Sequence, residues 1–116
     1  MTTLNGLYSI HVALLDGRSG KGSGVIIFRD GKILGGDAYL FYTGFYTVRD
    51  SAMRGEVIIN QHTPSPVDAP VFGGQQVSIG FSGTFTGAAA TMNGTALVGK
   101  ASVIFQATLR KMANLD

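Results

Sequence analysis

Apolar and polar residues alternate along this chain in short runs cut by glycine, the period-two pattern of strands with one buried face. In the first run, Gly6 to Leu15, Tyr8, Ile10, Val12 and Leu14 share one face, and Ser9, His11 and Ala13 the other. Gly24 to Arg29 forms a second run. Asp30-Gly31 then reads as a two-residue hairpin turn, whose central residues take positive φ. A short third strand starts at Lys32 to Leu34, Gly35-Gly36-Asp37 bends the chain, and the aromatic run Ala38 to Val48 follows. Arg49 to Arg54 reads as a loop and Gly55 to His62 as a fifth strand. Thr63 to Gly74, with all three prolines, reads as a long surface connection.

The sixth run, Gln75 to Thr86, alternates most cleanly. Val77, Ile79, Phe81 and Phe85 point in, while Ser78, Ser82, Thr84 and Thr86 point out. Gly80 and Gly83 lie inside it, where a strongly curved sheet wants them. Ala88 to Val98 forms a seventh strand with a kink expected at Asn93-Gly94. After Gly99-Lys100 the eighth, Ala101 to Met112, sends Val103, Phe105, Ala107 and Leu109 inward. Residues 113–116 are expected to fray. Eight consecutive short strands imply one all-β domain over 1–116, an antiparallel up-and-down barrel of the lipocalin-like (calycin-like) kind, since closure removes exposed edges.

Two runs are apolar on both faces. Ile26 and Phe28 oppose Val25 and Ile27, and Leu40, Tyr42 and Tyr46 oppose Tyr39, Phe41 and Phe45. A solvated barrel wall needs only one apolar side, so Val25, Ile27, Tyr39, Phe41 and Phe45 form a candidate homodimer face. The competing cover is the proline-containing loop.

Composition narrows the functional classes. The 116 residues are 45% hydrophobic and only 14% charged, which leaves apolar surface to meet another molecule. The net charge is +2 and the basic residues are scattered, against the clustered pattern of nucleic-acid binders. The aromatic run carries no charge between Asp37 and Arg49, so it does not read as a base-stacking platform. There is no cysteine, so neither a disulfide nor a thiolate site arises. The first residues lack a basic and apolar leader pattern, and no run has membrane-spanning length, so a cytoplasmic protein is expected.

No catalytic pattern emerges. Gly17 to Gly24, GRSGKGSG, has the wrong spacing for a phosphate loop and precedes a strand, so it reads as a flexible hairpin loop. His11 and His62 could join Asp37 or Glu56 in acid–base work, but His11 lies on a polar strand face and His62 at a strand end. The carboxylates show no metal-ligand spacing, and no serine sits in a nucleophile elbow. Asn93-Gly94-Thr95 matches a glycosylation acceptor and reads as a turn. A non-enzymatic protein without a cofactor is expected.

The opening block resembles the GrlR-type family of small bacterial regulators. The resemblance is carried by Asn5-Gly6-Leu7-Tyr8-Ser9-Ile10, Gly22 to Ile27, Asp30-Gly31-Lys32-Ile33-Leu34-Gly35-Gly36-Asp37 and Tyr42-Thr43-Gly44. It implies a dimeric lipocalin-like barrel with an apolar interior. It also implies a negative regulator that sequesters a transcriptional activator, docking through an acidic loop after the fourth strand. The matching residues here, Val48, Arg49, Asp50 and Ser51, carry one acid and one base. The alternative role is carriage or sensing of a small hydrophobic ligand, with Tyr8, Ile10, Val12, Val77, Ile79, Phe81, Phe85, Val103 and Phe105 lining the interior.

Overall fold

Strand β1 (Gly6–Leu14) pairs with both β2 (Lys21–Arg29) and β8 (Ala101–Ala113), and that double pairing closes the sheet. Between them run β3 (Lys32–Gly36), β4 (Leu40–Arg49), β5 (Ala52–Gln61), β6 (Val77–Thr86) and β7 (Ala89–Val98). Each strand is antiparallel to its neighbours in chain order, so the protein is an up-and-down, lipocalin-like barrel of eight strands. The computed structural model describes residues 4–14, 21–63, 76–98 and 101–115. Among these residues there is no helix, and hence none long and apolar enough to cross a membrane.

Alternation sorts the wall. In β6, Val77, Ile79, Phe81 and Phe85 are buried, and Ser78, Ser82, Thr84 and Thr86 are exposed. In β8, Phe105, Ala107 and Leu109 are buried, against exposed Gln106, Thr108 and Arg110. The interior also takes Leu4, Ile26, Phe28, Ile33, Tyr42, Tyr46, Met53 and Met92. Closure needs a local irregularity. Leu7 pairs with Ala113 and Tyr8 with Lys111, so Met112 has no partner on β1. Such a bulge raises the local twist and helps a barrel close.

Several sequence-based boundaries shift, each for a reason of backbone pairing. Lys21 to Ser23 belong to β2, because their backbone pairs with His11 to Ala13 whatever their side chains; residues 15–20 of the expected loop lie outside the described residues. Tyr39 is not in a strand. The Asp37 carboxylate Oδ1 accepts the backbone N–H groups of Tyr39 and Leu40, each at 2.8 Å, and holds the chain in a bend before β4. The expected loop Arg49 to Arg54 contracts to a turn at Asp50-Ser51, with Asp50 at a φ of 58°. Arg49 therefore pairs with Ala52, and β5 starts there. Of the proline-containing connection, 64–75 fall outside the described residues. Thr63 and His62 form a bend just past β5.

The seventh strand has neither the kink nor the turn expected at Asn93-Gly94. Asn93 pairs with Ser82 and Gln106, and Gly94 with Phe81 and Phe105, in an unbroken ladder. Gly94 faces inward, and a Cβ there would run into the Phe105 ring. Gly83 is likewise inward, where a Cβ would collide with the Thr91 carbonyl of β7. These glycines permit strong curvature and close packing.

Gly94→Ala should cost about 1–3 kcal/mol through overpacking against a rigid ring. The check is the urea midpoint, and adding Phe105→Leu should restore part of the loss. A midpoint unchanged by Gly94→Ala would show that the ring can move aside.

Candidate binding surfaces

At the end of the barrel where β1 starts, the interior is plugged by aromatic rings. Phe28 meets Tyr8 edge-on with centroids 5.4 Å apart, and Tyr46 edge-on at 5.2 Å. The polar tips are tied off. Tyr8 OH donates to the Leu4 carbonyl at 2.9 Å, and Tyr46 OH donates to Asn5 Oδ1 at 3.2 Å. Asn5 also accepts the Asp30 backbone N–H at 3.0 Å and donates through Nδ2 to Asp30 Oδ1 at 3.1 Å. Phe28 and Ile33 are fully buried, and Tyr8 and Ile26 are 1% exposed, so no ligand-sized space adjoins them. Ile10, Val77, Ile79, Phe81, Phe85 and Phe105 are buried in the same core. Val12 is half-buried against it. The Val103 backbone pairs with Ala96, and its side chain lies outside the described residues.

The opposite end carries two of the sequence's candidate acid–base residues, Asp37 and His62, and hydrogen bonding has taken them up. Besides its two backbone bonds, Asp37 accepts the Tyr42 hydroxyl through Oδ2 at 3.1 Å. The His62 ring lies 3.0 Å from the Asp37 carbonyl through Nε2 and 2.7 Å from Thr63 Oγ1 through Nδ1. A carbonyl only accepts, so Nε2 carries a proton and donates it there. Glu56 stands on the outer wall, where Oε1 accepts Ser78 Oγ at 2.9 Å. His11 is exposed in the outer cross-strand row between Ser23 and Thr108. Among the described residues no three His, Cys, Asp or Glu gather to hold a metal ion.

The outer wall over β2, β3 and β4 carries an apolar patch, bordered on the β2–β3 hairpin side by exposed Arg29 and Lys32. Ile27, Leu34, Thr43 and Ile58 form one cross-strand row. Beside it, Val25 and Phe41 both pair with Gly36, and Phe45 pairs with Lys32. Phe45 is 58% exposed and Leu34 55%; Val25 and Phe41 are also exposed, and Ile27 is half-buried. Four of the five sequence-chosen residues therefore share this face. The fifth, Tyr39, lies in the bend, where its carbonyl accepts the His62 and Thr63 N–H groups. Leu34 was missed because the short third run places Ile33 and Leu34 side by side and gives no period to choose a face.

The hairpin joining β4 to β5 stands at the plugged end. Val48, Arg49, Asp50 and Ser51 are all exposed, and the Ser51 carbonyl is held by the Phe85 N–H at 2.9 Å. The candidate docking segment is thus a short, fixed turn flanked by Arg49 and Arg54. Comparison with known proteins matches the chain to no family model and to no curated protein.

Burial first, and the neighbouring Asp37 charge second, push the Tyr42 hydroxyl well above the ordinary tyrosine range. Burial also raises Tyr8 and Tyr46. A raised folded-state value means that the folded barrel keeps these protons when the unfolded chain loses them. The associated stability is intact below a pH of about 10 and is lost as pH rises above it. Ionisation of the three buried tyrosines should therefore accompany loss of the β-sheet signal in an alkaline titration, and Tyr42→Phe should make that loss shallower. The same substitution should cost about 1 kcal/mol at neutral pH by removing the bond to Asp37. Ionisation of Tyr42 well before the sheet is lost would contradict this account.

Proposed function

We propose that the protein is a non-enzymatic regulatory binding protein of the GrlR type, working as a symmetric dimer and docking a protein partner. The observation that carries this reading is the contiguous apolar wall of Val25, Ile27, Leu34, Phe41 and Phe45 on the outside of a barrel that already has a core. A lone barrel gains nothing from this surface in water, and apolar patches of this kind mark association sites. Its self-complementary use is the simplest closed arrangement, because one patch on two copies buries both. The opening-block resemblance supports the regulatory part. The hairpin Val48 to Ser51 is the docking element it suggests, with Arg49 beside Asp50 in place of an acidic run. Such a mixed-charge turn selects a different partner surface from a purely acidic one.

Carriage of an apolar ligand has weaker support, because the described interior beside Tyr8, Phe28, Ile26 and Ile33 is filled. No catalytic set assembles from His11, His62, Asp37 and Glu56, each of which is exposed apart or engaged in structural hydrogen bonds.

Leu34→Glu should convert a species of twice the 12.1 kDa chain mass into a single chain in sedimentation at micromolar concentration, without loss of fold. A wild-type protein that sediments as one chain would sink the dimer. For the partner, the tagged protein is used as bait in cells that express it naturally, alongside Arg49→Glu/Asp50→Asn. Specific recovery by wild type and loss by the pair is expected, and a complex indifferent to the pair would remove the hairpin as the docking element.

A further inference from the structure

Beside the apolar wall, across β4 to β8, the outer surface forms an open groove of about 1170 Å³. Strand register sets its layout. One cross-strand row reads Phe45, Glu56, Gly80, Thr95 and Ile104. The next reads Thr47, Arg54, Ser82 and Asn93, and the one nearest the hairpin Arg49, Ala52, Thr84 and Thr91.

Gly80 is the informative residue. It faces outward in mid-strand, and a Cβ built on it meets nothing within 4 Å. Packing therefore does not require glycine there, in contrast to Gly83 three residues on, and a strand interior favours almost any residue with a side chain. Its effect is a notch of bare backbone on the groove floor between Glu56 and Thr95, with the exposed side chains of Phe45 and Ile104 two strands away on either side. A strand glycine with no packing role leaves the backbone open to close approach by another molecule.

The charges give the notch a direction. Glu56 is the one carboxylate among the groove-lining residues, and it bonds Ser78, which lies beyond Gly80 on the side away from Arg54. Arg54 and Arg49 are exposed on the hairpin side. We infer that this groove binds an extended peptide segment of the partner. The peptide backbone lies against the bare strand at Gly80, and an acidic side chain meets Arg54 or Arg49. This rests on the partner-binding reading above and names the chemistry that the partner must present. Two to four strand residues separate the Gly80 row from the two arginine rows, roughly 7 to 13 Å, so the acid falls two to four positions from the residue over Gly80 in an extended peptide. Two cations and one exposed ring are too few for a single-stranded nucleic-acid track, which interleaves several of each.

The test is selection of a phage-displayed random-peptide library on the wild-type protein. Enriched peptides are then titrated by fluorescence anisotropy against wild type, Gly80→Ala, Gly80→Thr and Arg54→Glu. The expected peptides are enriched in Asp or Glu. Gly80→Thr should weaken them by about tenfold or more, Gly80→Ala by less, and Arg54→Glu should weaken them in a salt-dependent way. The urea midpoint of Gly80→Thr should equal or exceed that of wild type, which separates a filled notch from a damaged fold. No enrichment, a basic consensus, or unchanged affinity for a folded Gly80→Thr protein would overturn the proposal. Oligogalacturonate or oligodeoxythymidine that binds wild type but not Gly80→Thr, in place of any peptide, would also overturn it. A partner recovered by bait that is indifferent to Gly80→Thr but lost with Arg49→Glu/Asp50→Asn would overturn the groove alone and leave docking at the hairpin standing.

Discussion

The double pairing of β1, with β2 on one side and β8 on the other, is the constraint on which the rest of the structure depends. With the ladder closed, each strand is paired on both sides over most of its length, and only overhangs such as Lys21–Gly24 of β2 are paired on one side. Strand addition along a whole sheet edge, a common mode of peptide capture, then has little to use in the described barrel. What the barrel chiefly offers a partner is side chains on the outer wall and the tips of hairpins. The places that stand out are of those two kinds: the apolar wall over β2 to β4, the groove over β4 to β8, and the turn at Asp50-Ser51.

Closure also explains what the residues behind the family resemblance do. Asn5 ties the chain start to Asp30 and Tyr46. Tyr8 fills the plugged end and bonds Leu4. Asp30 and Gly31 take positive φ in the hairpin between β2 and β3. Asp37 holds the bend before β4 and anchors Tyr42. Every one of these contacts lies at an end of the barrel and stabilises the way strands enter or leave it. The resemblance therefore speaks first to how the barrel is finished off. The residues that would choose a partner, Arg49, Arg54 and Gly80, are outside it.

The fold was legible in sequence wherever one side of a strand met water. The alternation of Val77 to Thr86, and that of Phe105 to Arg110 in β8, separates core from surface because only one face is buried. Two-sided apolar runs told equally well that Val25, Phe41 and Phe45 face outward, since Phe28, Tyr42 and Tyr46 claim the interior. Legibility failed where backbone hydrogen bonds overrode side-chain character. Lys21 to Ser23 are polar and glycine-flanked, yet the ladder to β1 makes them strand. Tyr39 is aromatic and β-prone, yet the Asp37 carboxylate takes its N–H and ends any pairing. Leu34, in a five-residue strand, had too short a run to reveal a period. Gly80 and Gly83 looked alike as strand glycines. Only the positions of neighbouring strands show that Gly83 is needed for close approach and Gly80 is not.

Phe45 joins the two outer surfaces. It lies on the apolar wall through its pairing with Lys32 and lines the groove beside Glu56. A second copy covering the wall and a peptide seated in the groove would both meet the same ring. If the copy turns the ring toward the groove, it narrows the groove in advance and lowers the ordering cost of binding; if it draws the ring away, it widens the groove. Where the ring moves in either way the two associations would be linked, and by reciprocity the peptide would shift dimerisation by the factor by which dimerisation shifts peptide affinity. A barrel whose sheet is closed and whose one end is packed could in this way couple an oligomeric state to partner recognition. The coupling passes through one exposed aromatic side chain and needs no rearrangement of the strands.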